Sequence, residues 1–145
     1  LFITGSIIIS WMPFLRRCLR MTMLDLSQID RIYLATGKTD LRKGIDGLVI
    51  VITEQFALDP YQSTLFLFCG SRKDRFKGLL WQKDGFLLLY KRFEDGRLQW
   101  PRNQAEMRQL QPAQLVRLLQ GWSIDATIHD FDPAHLRLQQ KNNVV

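Results

Sequence analysis

Two turn signals, Lys83-Asp84-Gly85 and Glu94-Asp95-Gly96, together with the charged loop from Gly70 to Asp74, cut residues 64–100 into pieces too short for stable helices. The pieces run from Thr64 to Cys69, Phe76 to Gln82, Phe86 to Phe93 and Arg97 to Trp100, and Pro101 stops the last. They are rich in Phe, Leu, Tyr and Trp, which suit a pleated, half-buried surface. Successive short strands with tight connections predict a four-stranded antiparallel meander. Several are apolar at adjacent positions as well as alternate ones, so both faces of the sheet should be covered.

The flanking segments supply the cover. Arg31 to Ala35 reads as a short strand ended by Thr36-Gly37. A helix then starts from a cap at Thr39 or Asp40 and carries Leu41, Ile45, Leu48, Val49, Ile52 and Phe56 on one stripe. Gly44 and Gly47 each cost about 1 kcal/mol against Ala inside a helix, which suggests a close approach by a sheet or a partner there. Pro112 opens a second helix, with Leu115, Leu118, Leu119 and Trp122 on its apolar side. The expected fold is therefore α+β: a short strand, a helix, a four-stranded antiparallel meander and a C-terminal helix. A chain of 145 residues that is 46% hydrophobic suits one such domain, over residues 23–124.

The two ends differ from this core. Residues 1–22 hold an apolar run that is broken by Thr4-Gly5-Ser6 and Pro13 and followed by Arg16, Arg17 and Arg20. The run is too short and interrupted for a membrane span, and its charges follow it, the reverse of a signal peptide. It reads as an upstream extension, with translation expected to begin at Met21 or Met23. Residues 125–145 lose all periodicity and read as a loose tail. Two cysteines, Cys18 and Cys69, without ligand spacing fit a reduced, cytoplasmic setting.

Charge is concentrated in the meander. The formal net charge is +6, and without the three arginines of the first 22 residues it is +3. Between Arg72 and Arg102 nine cations face four acids, interleaved with aromatic rings. Cations beside rings are what a nucleic-acid surface needs, charge for phosphates and flat rings for bases. Arg72, Lys73, Arg75, Lys77, Lys91, Arg92, Arg97 and Arg102 are the candidate DNA-binding residues, and Trp81, Tyr90 and Trp100 the candidate stacking residues. The competing reading is a sheet whose exposed Lys and Arg only discourage edge-to-edge aggregation.

Catalytic patterns are missing. Gly37-Lys38-Thr39 between a strand and a helix resembles the end of a phosphate-binding loop, but the Gly that such a loop needs five positions earlier is Ile32. The expected strands hold no Asp or Glu in their interiors, where a metal-dependent nuclease would place one. Asp74, Asp84, Glu94 and Asp95 sit in turns, and Asp40 and Asp46 lie beside Arg42 and Lys43. His129 and His135 are six apart in a segment without a scaffold, and no histidine falls in 23–124. No catalytic residue, metal site or cofactor is therefore expected.

The segment from Ile32 to Leu48, with Thr36-Gly37-Lys38-Thr39-Asp40-Leu41-Arg42-Lys43-Gly44 at its centre, resembles the opening signature of a known family. So do Asp74-Arg75-Phe76-Lys77, Leu80-Trp81, Gly85-Phe86, Tyr90-Lys91-Arg92, Gly96-Arg97, Trp100-Pro101 and Pro112-Ala113-Gln114-Leu115. The family is the TnpB-type accessory proteins, from the second open reading frame of the IS-sixty-six group of bacterial insertion sequences. It is distinct from the RNA-guided nuclease that shares the name TnpB. The resemblance runs from about Met23 to Ser123 and leaves out both ends. It implies a non-catalytic role in transposition, with DNA and a separate, element-encoded transposase as partners, and it leaves an oligomer open. An adaptor that binds only protein is the alternative, and a metal-dependent nuclease is disfavoured by the placement of the acids.

Overall fold

The computed structural model describes residues 26–125, with Ile128 and Pro133 beyond them. The expected extension at 1–22, the two histidines and nearly all of the expected tail lie outside the described residues. A short 3-10 turn, Leu26–Gln28, leads into β1, Arg31–Ala35. Then follow α1, Ile45–Ile50, continued by a π-helical turn at Val51–Gln55, and the strands β2, Thr64–Phe68, β3, Arg75–Trp81, and β4, Phe86–Arg92. The strand β5, Met107–Leu110, precedes the helix α2, Pro112–Leu119.

The strands form one five-stranded sheet in the order β4-β3-β2-β1-β5. The α+β class holds, but the sheet is mixed. β1 pairs with β2 in parallel, Arg31 opposite Thr64 and Leu34 opposite Leu67, while the β2–β3, β3–β4 and β1–β5 pairs are antiparallel. A parallel pair needs a crossover, and α1 is that crossover. β2 has a neighbour on each side and a covered surface on each face. All five of its residues are buried, which explains its unbroken apolar run.

α1 covers one face, packing Leu48, Val51 and Ile52 on Ala35, Phe66, Phe68 and Leu79. On the other face Leu34, Leu65, Leu67, Phe76 and Leu80 meet Leu98, Trp100, Leu118 and Ile124. The last set corrects the expected fourth meander strand. Arg97 to Trp100 has the alternation of a strand, with Leu98 and Trp100 buried and Arg97 and Gln99 exposed, yet it lies across the sheet face instead of pairing along its edge. Its backbone bonds go to loops: the Leu98 amide donates to the Lys73 carbonyl at 2.7 Å, and the Gly37 amide donates to Pro101 at 2.9 Å. The fifth strand is instead Met107–Leu110. Polar and half exposed, it gains its order from the free edge of β1.

Two local expectations also change. Asp40 caps a turn and not a helix, its Oδ1 accepting from the backbone N–H of Arg42 at 3.0 Å, and α1 begins only after Gly44. The atoms nearest a Cβ at Gly47 are those of the Lys43 side chain, 2.9 Å away, so the glycine makes room for a lysine that precedes the helix. Pro112 does open α2, after a Gln111 cap whose side chain and that of Gln114 each bond the other's backbone.

Candidate nucleic-acid interface

Parallel pairing of β1 and β2 sets the loops after their carboxyl ends side by side. The Thr39 amide donates to the Cys69 carbonyl at 2.9 Å. Gly70 faces Thr39 and Leu41 so closely that a Cβ would come within 3.2 Å of the Thr39 carbonyl oxygen and of Leu41 Cγ. Arg102 locks the pair of loops, donating to the carbonyl oxygens of Gly37 at 2.6 Å and Gly70 at 2.5 Å. Beside this junction opens a cleft of about 660 Å³, lined by Lys38, Thr39, Asp40, Leu41, Arg42, Gly70, Ser71, Arg72, Arg75 and Tyr90. Four cations from two separate loops and β3 thus meet with Asp40 on the lining, while Asp74 beside it pairs with Arg72 at 3.6 Å and with Arg75.

Cross-strand register supplies the cleft's far wall. Lys77 stands opposite Tyr90, and Arg75 opposite Arg92, on the same face as α1. Arg75 holds Asp74 through Nε at 2.9 Å and reaches the Tyr90 hydroxyl with Nη1 at 3.4 Å. Lys77 donates to the Lys43 carbonyl at 3.0 Å, and its Nζ lies 5.7 Å from the Tyr90 ring centroid. A smaller cleft of about 380 Å³ adjoins the same loop, lined by Ser71, Arg72, Lys73, Asp74 and Arg97.

The acids here are ion-paired and stay charged. The side-chain hydrogen bond from Arg42 holds the Asp40 carboxyl down at about 2, and the bond from Arg75 lowers that of Asp74. Neither is poised to exchange a proton near neutrality. Burial pushes the Cys69 thiol up, away from nucleophilic use. Among the described residues no group of three or more His, Cys, Asp or Glu side chains could hold a metal ion, and no strand contains an Asp or Glu. What the arrangement can do chemically is bind anions.

The residues expected from sequence are divided by the fold. Arg72, Lys73, Arg75, Lys77 and Arg97 gather around the 70–75 loop. Arg92 is on the cleft face but bonds Glu94 at 2.8 Å. Lys91 points to the opposite face, over Phe93 at 5.7 Å. Arg102 is the clasp just described and is occupied by backbone carbonyls. Of the three rings, Tyr90 is 53% exposed and lines the cleft. Trp100 is only 3% exposed and donates its Nε1 to the Ala35 carbonyl at 2.9 Å, so it is a core residue and not a stacking one. Trp81 sits at the far end of β3, roughly 20 Å from Arg75 at strand rise, packed edge-on against Tyr61 and Phe86. Lys38 and Arg42 are cleft residues outside the expected Arg72–Arg102 set, because only the β1–β2 pairing brings their loop to the site.

Residues 30–128 match the family model described as IS66 Orf2 like protein. The chain belongs to the IS66 Orf2-like family. That places it among the proteins that accompany IS66 insertion sequences. Two relatives come from Sinorhizobium fredii. "Uncharacterized protein y4hO" is 35% identical over 99 residues, covering 68% of this chain and 86% of the relative. "Uncharacterized protein y4jC" is 31% identical over 99 residues, covering 68% and 85%. No solved structure matches this IS66 Orf2-like chain. Among its described residues no helix is long and apolar enough to cross a membrane.

Proposed function

We propose that this IS66 Orf2-like protein is a non-catalytic transposition accessory protein that binds the element's DNA, with the cleft between the 38–42 and 70–75 loops as the phosphate contact. One observation carries this reading. Lys38 and Arg42 from one loop meet Arg72 and Arg75, some thirty positions on, along one open cleft, against the two carboxylates of Asp40 and Asp74. Cations scattered only to guard sheet edges have no reason to converge on one concavity. Lys73, Lys77 and Arg97 extend the positive surface on either side, and the IS66 element's transposase would supply the chemistry.

Salt titration of binding to duplex DNA carrying the element's ends is the test. Four phosphate contacts release about four counterions, so log K should fall against log salt with a slope of roughly −3 to −4. Absence of binding at low salt would move the assignment to an adaptor that contacts the transposase alone. A specific surface favours that second reading. Val116 and Leu119, on the outer side of α2, and Trp122 just beyond it are exposed, Trp122 by 60%. Large apolar side chains grouped there suit a protein partner. Co-purification of the transposase that is lost in Trp122→Ala, with no DNA binding, would establish it.

A further inference from the structure

The cleft holds one usable aromatic ring, and that ring limits what nucleic acid it can read. Tyr90 has two cationic neighbours: Arg75 reaches its hydroxyl at 3.4 Å and Lys77 Nζ lies 5.7 Å from its ring centroid. Half of the residue remains exposed, and it shares the cleft with Lys38, Arg42 and Arg72. No other ring is on the cleft lining. Trp81, Phe86 and Tyr61 pack on one another, Phe76 pairs with Phe93 at 6.2 Å on the opposite face, and Trp100 is buried. A protein that tracks a long single strand presents successive rings for successive bases. Here there is one. In duplex DNA each base face is covered by its neighbour, so a protein ring reaches it only where a nucleotide is unpaired or turned out of the stack.

Resting on the DNA-binding reading above, we infer that the cleft takes a single unpaired nucleotide at a strand end or junction. Its base lies on Tyr90 and its phosphate among Lys38, Arg42 and Arg72. The cleft is open, and its volume of about 660 Å³ leaves room for one nucleotide lying along it. The hydroxyls of Thr39 and Ser71 on its lining can bond a base edge or sugar. The flanking cations Lys73, Lys77 and Arg97 would hold the adjoining backbone.

Fluorescence anisotropy at one low salt concentration, with three labelled probes of the same sequence, tests this. The probes are a blunt duplex, the duplex with a short 3′ overhang, and the single strand. The overhang and single-strand probes should bind roughly tenfold more tightly than the blunt duplex, the scale of one base–ring stack. Tyr90→Leu, which keeps apolar bulk without the ring, should erase that preference and bring the three probes to one affinity. Tyr90→Phe should keep it, and circular dichroism of both variants reports their folding. Equal affinity for all three probes, or a preference that survives Tyr90→Leu, overturns the inference while salt-dependent duplex binding keeps the broader function. Failure of every probe to bind removes both.

Discussion

Arg102 donates to the carbonyl oxygen of Gly70 at 2.5 Å across 32 positions of sequence, and the same guanidinium reaches Gly37. That one side chain ties together the loops leaving β1 and β2, which are the two lips of the basic cleft. Two parallel N–H donors in a rigid fork suit a pair of carbonyls that an ammonium could satisfy only singly. Arg102→Lys should therefore cost about 1–2 kcal/mol of stability, read by chemical denaturation. It should also weaken DNA binding without changing the salt slope, because Arg102 positions the cleft and does not contact phosphate. A slope reduced by a full unit would mean that Arg102 neutralises a phosphate itself.

Gly70 is the complementary case. It needs no unusual backbone angle, but a methyl group would press on Leu41 and the Thr39 carbonyl. Gly70→Ala should destabilise the fold by about 1–3 kcal/mol, the usual scale of overpacking, and loosen the cleft. Unchanged stability would show that the two loops separate freely.

Trp100 gives a prediction that separates core from surface. Trp100→Phe keeps most of the buried ring but leaves the Ala35 carbonyl without its indole partner. The expected loss is about 1–3 kcal/mol, with DNA affinity per folded molecule unchanged. Reduced affinity at full stability would restore Trp100 as a stacking residue.

The carboxylates set the acid limit. Folded Asp40 titrates at about 2 against an ordinary 3.8, and Asp74 is lowered in the same direction. Groups depressed in the fold contribute stability that is present above their ordinary value and lost as pH falls through the folded one. Melting temperatures should hold at mild acidity and drop from about pH 4 towards pH 2, less steeply in Asp74→Asn than in the parent. Both acids stay ionised above that window, and no histidine occurs in residues 23–124. The salt slope of binding should thus be the same at about pH 5.5 and about pH 8. A slope that steepens towards pH 5.5 would point to a cation that titrates at the interface.

Much of the fold was readable because local signals carried it. The Asp84-Gly85 turn fixed the β3–β4 hairpin, and the unbroken apolar run of β2 announced a strand covered on both faces. Of the expected stripe from Leu41 to Phe56, the part from Ile45 is helical, and the proline at the start of α2 read correctly, whereas the helix start at Thr39 or Asp40 did not. Errors came where tertiary context outweighed pattern. Arg97 to Trp100 alternates like a strand, and nothing local says whether such an alternation pairs at an edge or lies on a face. Met107–Leu110 has no strand signature and is ordered by the β1 edge. The site suffered in the same way. Charge density singled out Arg72 to Lys77, but Lys38 and Arg42 join them only through the parallel β1–β2 pair. Strand parity then sends Lys91 to the opposite face from its neighbour Arg92.

The salt dependence of duplex binding in the double variant Lys38→Ala, Arg72→Ala tests the central claim most directly. Both side chains are exposed, so the fold should stay within about 1 kcal/mol of the parent. Removing two phosphate contacts should flatten the slope of log K against log salt by about two units. Lys91→Ala, on the opposite face, should leave it unchanged. Parent-like slope and affinity in the double variant, or an equal loss in Lys91→Ala, would contradict the assignment of the cleft as the DNA-binding site.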